Sequence, residues 1–258
     1  MSSHSLALPR IKVGKLPVDV VDFDGALNAI DRLVSAGNGG TVFTPNVDHV
    51  VMAEHDPRFC TAYASAALSL VDGTPVLWAA RLLRTPLPEK ISGSDLVMPL
   101  LRRAAERGYR VYFLGGAPGV ADQAKAKLEA ELPGIRIVGT DASRIDVNAL
   151  GERDEVAERI RRAAPDLVLV ALGAPKQEIW SHTRAESLKP AVLIGVGASL
   201  DFVAGTQKRA PRWMSKVGLE WLYRLAQEPR RLAARYLLRD PEFGLILLRQ
   251  LARGSKRA

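Results

Sequence analysis

The 258-residue chain carries a single cysteine, Cys60, so no internal disulfide can form. With no second thiol or clustered histidine beside it, Cys60 builds no zinc site either, and a reducing compartment is expected. Aromatic residues are scarce, at 6%. No run of about eighteen apolar residues occurs, and the most apolar late stretch, Phe243 to Leu248, is far too short to cross a bilayer. Any membrane contact is therefore expected to be peripheral. The start, Met1 to Arg10, lacks a basic segment followed by an apolar one, which argues against a secretory leader and for a cytoplasmic protein. The histidines, His4, His49, His55 and His182, show no metal-ligand spacing, and no metal is expected.

With 47% hydrophobic and 25% charged residues the composition is that of a globular protein rather than a disordered or fibrous one. The length suits one large α/β core with a small appendage. Charge marks where the appendage begins. The net charge is +8, yet from Gly205 onward thirteen basic residues face only four acidic ones, so everything earlier is close to neutral. We therefore expect a catalytic unit over residues 1–204 and a basic helical appendage over residues 205–258.

Short β-branched or Leu-rich runs alternate with longer amphipathic stretches: Thr41 to Phe43, Leu68 to Val71, Arg110 to Leu114, Ile135 to Val138, Leu167 to Leu172 and Ala191 to Val196. That rhythm predicts a Rossmann-like α/β fold, a mostly parallel sheet with helices on both faces. Ser94 is placed to cap a helix over Asp95 to Arg107, and Pro118 to open one that runs to Leu132. In such sheets ligands bind outside the carboxyl ends of the strands. Five of those ends are rich in small and polar residues, from Thr44-Pro45-Asn46 and Asp72-Gly73-Thr74 to Gly197-Ala198-Ser199.

The run Gly115-Gly116-Ala117-Pro118-Gly119 would let backbone N–H groups approach a phosphate or diphosphate at a helix N-terminus, although a tight bend explains it equally well. It is not the G-x-G-x-x-G run of a dinucleotide site. Asp72 at a strand end suits a general base that takes a proton from an attacking hydroxyl; a plain Asp-Gly turn is the bland alternative, and Asp201 is the rival carboxylate. Thr44 and Asn46 could bond sugar hydroxyls or a base, or Asn46 could cap the next helix. Lys90 could meet the charge of a departing diphosphate, or sit solvated on the surface. Gln177, at the head of a helix, is the best candidate for a donor-sugar or nucleotide contact, with capping as the alternative. Asp22-Phe23-Asp24 has the form of a metal-binding D-x-D but lies where acidic helix caps belong, and is read as capping.

These strings resemble the WecG/TagA/CpsF family of bacterial glycosyltransferases (glycosyltransferase family 26). The resemblance runs from about Val18 to Tyr236 and rests on Thr44-Pro45-Asn46-Val47-Asp48, Val71-Asp72-Gly73-Thr74-Pro75, Ile91-Ser92-Gly93-Ser94-Asp95-Leu96, Phe113-Leu114-Gly115-Gly116, Leu172 to Glu178 and Gly218 to Arg224. It implies an inverting, metal-independent transferase moving a hexose or N-acetylhexosamine-type sugar from a UDP-sugar to an undecaprenyl-diphosphate-linked saccharide, with no cofactor. It also implies that Asp72 is the base, that Thr44, Asn46 and Gln177 bind substrate, and that the appendage brings Arg224, Arg231 and Arg235 to the site and docks on the anionic inner face of the cell membrane. Lys90 stands where the family usually has Arg, which keeps the charge but not bidentate phosphate recognition.

The appendage pattern agrees with docking: Met214, Val217, Trp221 and Leu225 recur at helical spacing, as do Phe243, Leu247 and Leu251, among basic residues. A helical pair packed on the core with solvated charges fits the same pattern. A basic nucleic-acid-binding protein leaves the polar strand ends unexplained and lacks a groove-reading motif, and a nucleotide-dependent oxidoreductase lacks its fingerprint. A homo-oligomer is admitted; the donor sugar is left open.

Overall fold

The computed structural model describes residues 8–151, 154–211, 214 and 219–254, apart from the side chains at 224, 231, 234, 238 and 254. The first elements are an antiparallel hairpin, β1 (Arg10–Val13) and β2 (Leu16–Asp19), joined by the two-residue turn Gly14-Lys15. The expected βαβ rhythm did not include it. The central sheet holds β3 (Gly40–Phe43), β4 (Leu68–Ser69), β5 (Arg110–Gly115), β6 (Arg136–Asp141), β7 (Leu167–Ala171) and β8 (Val192–Gly195). Their order is β4-β3-β8-β7-β5-β6 and every pairing is parallel, so all six expected strands are present in one Rossmann-like α/β sheet.

Helices cover both faces because neighbouring residues on each strand point to opposite sides. Val42, Val111, Phe113, Leu169 and Ile194 pack beneath α1 (Phe23–Ala36), α5 (Gly93–Arg107), α6 (Val120–Glu131) and α9 (Ser199–Ala204). On the other face Phe43 packs with α2 (Val47–His55), α3 (Pro57–Ala64) and α4 (Thr74–Leu82), while Tyr112, Leu114, Val168 and Leu193 pack with α7 (Glu155–Ala163) and α8 (Lys176–Arg184). Two expected helix starts shift. Ser92, rather than Ser94, caps α5, its Oγ accepting from Asp95 N, and α6 begins at Val120, after Gly119 rather than at Pro118. Asp22 caps α1 through Gly25 N, as the D-x-D reading required.

The basic C-terminal segment is helical and packs on this core. It forms helices over Glu220–Gln227, Pro229–Ala234 and Glu242–Gly254, with a five-residue π-helical turn, Arg235–Arg239, between the last two. Ile246 is buried among Val13 and Val50, with Phe243 and Leu247 packed beside it. The stripe through Phe243 and Leu247 therefore faces the core, and the outward apolar residues are Leu245 and Leu248. Gln250 clamps the hairpin turn, accepting from Gly14 N at 2.8 Å and donating to Lys12 O at 2.8 Å. Val217 lies outside the described residues.

The hairpin covers the exposed edge of β4, and one carboxylate holds it there. Asp19 is buried, accepts from Arg10 Nε and Nη2 at 2.7 and 2.8 Å, and accepts the edge amide of Ser69 at 2.7 Å. Asp19→Ala leaves the Ser69 amide without its partner and Arg10 with only Ala66 O, so we expect a loss of about 2 kcal/mol, read from urea denaturation. An unshifted midpoint would remove the anchoring role from Asp19.

Candidate active site

Helices α2 and α8, which follow β3 and β7, pack on one face, whereas α9, which follows β8 between them, packs on the other. Chain leaving in opposite directions opens a crevice above the strand ends, the place where ligands bind in open α/β sheets. A cavity of about 590 Å³ occupies it, a size that holds a small-molecule substrate. Its lining includes the starts of α2, α4, α5, α8 and α9 and part of the C-terminal segment.

Asp72 lies in this lining with Thr44, Asn46, Lys90, Gln177 and Arg235. Its place is set by backbone bonds. The β4 ladder ends at Ser69, but the chain keeps company with β3: Leu70 N donates to Phe43 O and Asp72 N to Pro45 O, both at 2.8 Å. On its other side Ile91 N donates to Val71 O at 2.7 Å, which sets Lys90 beside the same strand end. Gly73, with φ of +100°, adopts a backbone that only glycine takes without strain, and turns the chain into α4. Lys90 Nζ stands 3.8 Å from Asp95 Oδ2 and 3.7 Å from Glu220 Oε2. Burial alone would raise the Asp95 pKa, but hydrogen bonds from Ser92 and Arg209 hold it below the usual carboxylate range.

Three of the converging helices, α4, α8 and the six-residue α9, start without a side-chain cap. Their first-turn amides and positive dipole ends border the cavity, an environment suited to an anion. Asn46 does cap α2, accepting from His49 N at 3.2 Å, and it also accepts from Arg235 Nη2 at 3.3 Å. Gln177 is buried. Its Oε1 accepts from Gly197 N at 3.1 Å and its Nε2 donates to Glu178 Oε1 at 2.8 Å, so the amide ties α8 to the loop after β8.

The structure does not bring Gly115, Gly116 or Asp201 into the lining. Gly116 N donates to Ala171 O at 3.0 Å, and a Cβ on Gly115 would sit 2.5 Å from that same oxygen. The glycine run thus serves close approach to β7. Asp201 lies one step inside α9, where its backbone oxygen accepts from Thr206 N. The side chains of Arg224 and Arg231 lie outside the described residues.

Asp48, His49, Arg235 and Asp240 bring to the lining a largely buried polar group that the sequence did not reveal. Asp48 stands 3.2 Å from both Arg235 Nε and Arg239 Nη2, at ion-pair distance. His49 Nδ1 and Tyr63 OH lie 2.7 Å apart in the interior. Burial, helped by Arg235, lowers the His49 pKa to about 3, so its imidazole is neutral. Burial raises Glu178 to about 7, with the Gln177 hydrogen bond opposing and the Asp48 charge adding to the rise. Asp240 is raised to about 6, chiefly by burial. An Asp or Glu in the first turn of a helix reads as an exposed cap, and nothing local signals that Asp48 and Glu178 are covered. Among the described residues no group of three or more His, Cys, Asp or Glu side chains is placed to hold a metal ion.

The profile described as "Glycosyl transferase WecG/TagA/CpsF family" matches residues 11–257. Two relatives are named N-acetylglucosaminyldiphosphoundecaprenol N-acetyl-beta-D-mannosaminyltransferase. The one from Bacillus spizizenii is 31% identical over 246 residues, covering 93% of each chain. The one from Bacillus subtilis is 34% identical over 212 residues, covering 82% of this chain and 80% of its own.

The buried acid makes stability depend on pH. With a folded pKa near 7 against 4.5 for an exposed glutamate, folded Glu178 keeps a proton in that window that the unfolded chain has released. Its contribution therefore worsens as pH rises from about 4.5 and is least favourable above about 7. Glu178→Gln should gain stability relative to the parent between pH 5 and pH 8 in paired urea titrations. An equal difference at both values would contradict the burial of an ionisable carboxyl here.

Proposed function

We propose that this chain, which belongs to the glycosyl transferase WecG/TagA/CpsF family, transfers a hexose or N-acetylhexosamine-type unit from a UDP-sugar to a saccharide carried on undecaprenyl diphosphate. N-acetylmannosamine is the first donor to test, because both relatives are named for its transfer to an N-acetylglucosaminyl-diphosphate lipid. The observation that carries the reading is Asp72, lying with Lys90 in one cavity that uncapped helix starts border.

In the reaction the acceptor hydroxyl oxygen bonds to the anomeric carbon from the face opposite the diphosphate, and the bond from that carbon to the diphosphate oxygen breaks. The configuration inverts. Asp72 takes the hydroxyl proton as the new bond forms. Negative charge grows on the departing nucleoside diphosphate, where Lys90, Arg235 and the starts of α4 and α8 supply fixed positive charge without a bound metal. Thr44 and Asn46 supply hydrogen-bonding groups at the end of β3, and Gln177 holds the loop after β8 in place. Arg224 and Arg231 are assigned to the same anionic substrate on the family pattern. No helix among the described residues is long and apolar enough to cross a membrane, which fits a protein that meets its lipid acceptor peripherally on the inner face.

Asp72→Asn removes a base but little volume. The variant should still be stabilised by UDP in a thermal-shift assay without magnesium, while kcat falls by roughly a hundredfold or more. Turnover near the parental rate would end the assignment of Asp72, and a UDP shift that appears only with magnesium would end the metal-free reading.

A further inference from the structure

Helix α4 buries Val76, Ala79 and Ala80 in the core and leaves Trp78 57% and Leu82 56% exposed. Of the described tryptophans Trp180 is fully buried, whereas Trp78 and Trp221 are exposed, Trp78 the more so. Arg81 and Arg84 are exposed on the same short segment, and among the described residues neither pairs with a carboxylate. From Thr74 to Pro88 the sequence contains no acidic residue. Arg84 ends the helix at φ 59°, a conformation that glycine fills more readily.

The other exposed large apolar residues also lie on elements that reach the cavity. Among the described residues they are Trp221, Leu222, Leu237, Leu245 and Leu248. Each belongs to a C-terminal element that itself lines the cavity, or directly adjoins a lining residue, through Glu220, Trp221, Arg235, Tyr236 and Phe243. Helix α4 completes the pattern from the side of the catalytic core, because Gly73, Thr74 and Pro75 at its start line the same cavity. Exposed apolar surface is thus gathered on the elements that border the mouth.

We propose that α4 is a membrane-contacting element in its own right, with Trp78 and Leu82 entering the interfacial layer of an anionic bilayer and Arg81 and Arg84 meeting its headgroup phosphates. The inference rests on the lipid-acceptor reading above and extends it from the C-terminal segment to the catalytic core. A short helix with tryptophan and leucine outward, flanked by arginine, has the chemistry of an interfacial contact. A second copy of the chain fits this face less well. A two-fold interface sets a patch against itself, which would bring arginines together with no acid on the segment to offset them.

The test uses the full chain and vesicles of phosphatidylcholine with or without phosphatidylglycerol. Both side chains are exposed, so Trp78→Ser with Leu82→Ser should fold, retain UDP stabilisation and retain parental turnover on a water-soluble short-chain acceptor. Its affinity for the anionic vesicles should drop by roughly tenfold or more, with a matching loss of activity on acceptor embedded in them. Arg81→Gln with Arg84→Gln should lose only the part of binding that phosphatidylglycerol adds. Vesicle binding equal to the parent, or a change in sedimentation from a larger species to a monomer without loss of vesicle binding, would overturn the proposal. If the parent binds vesicles but turns over no acceptor, soluble or embedded, the glycosyl-transfer reading fails, while the vesicle comparison still judges α4.

Discussion

Because β3 sends its chain to one face of the sheet and β8 sends its chain to the other, their parallel pairing opens a gap above the strand ends. Everything placed in the cavity is hung from that gap. The Asp72 amide is held by Pro45, just beyond β3, and Lys90 follows because Ile91 is bonded to Val71. Gln177 closes the opposite side by accepting from Gly197. Backbone bonds thus set the spacing between the two chain positions that carry the carboxylate and the cation. Such anchoring suits a reaction in which proton acceptor and leaving-group cation must keep a fixed separation.

The C-terminal segment completes the site by charge more than by shape. Arg235 and Arg239 lie within 3.2 Å of Asp48, yet Asp48 Oδ1 and Arg235 Nε make no well-aligned hydrogen bond. Arg235 gives one hydrogen bond to Asn46 and keeps further donors to offer, and on the proposed reading those donors face the leaving diphosphate. The same ion pairs keep two of the segment's cations close to a buried acid. That leaves less free charge for a polyanion such as nucleic acid than the net charge of +8 suggests.

The sheet was legible because each central strand is a compact β-branched or Leu-rich run bounded by Gly, Asp or Asn. The same rule overshot at Leu70 and Val71, where the chain follows β3 by single bonds to Phe43 and Pro45 without forming a ladder. The hairpin escaped notice because its strands are four residues each and one of them carries a proline. Periodicity found Phe243 and Leu247 but could not say which way they face; their partners, Val13 and Val50, come from the other end of the chain. Asp72 and Gln177 were legible because strand ends mark them, whereas Lys90, which follows no strand, was named for its charge. Burial of Asp48 was not legible, since the arginines that cover it also come from a distant part of the sequence. The close approach of Gly115 to β7 was not legible either, for a glycine run looks the same whether it cradles an anion or lets two strands touch.

Cavity size and acceptor chemistry together constrain how the protein must sit. A space of about 590 Å³ suits a polar, drug-sized group, and it leaves no room for a long polyprenyl chain beside a nucleotide-sugar. Each methylene drawn from a bilayer into water would cost about 0.8 kcal/mol, so the lipid of the proposed acceptor has to stay in the membrane while its saccharide reaches Asp72. The mouth must then lie at the headgroup level. Neither a soluble diffusing enzyme nor a single flexible tether meets that condition, because both leave the angle between mouth and membrane unset. Apolar and cationic contacts on more than one side of the mouth would fix it, and exposed apolar residues on both α4 and the C-terminal elements fit that requirement.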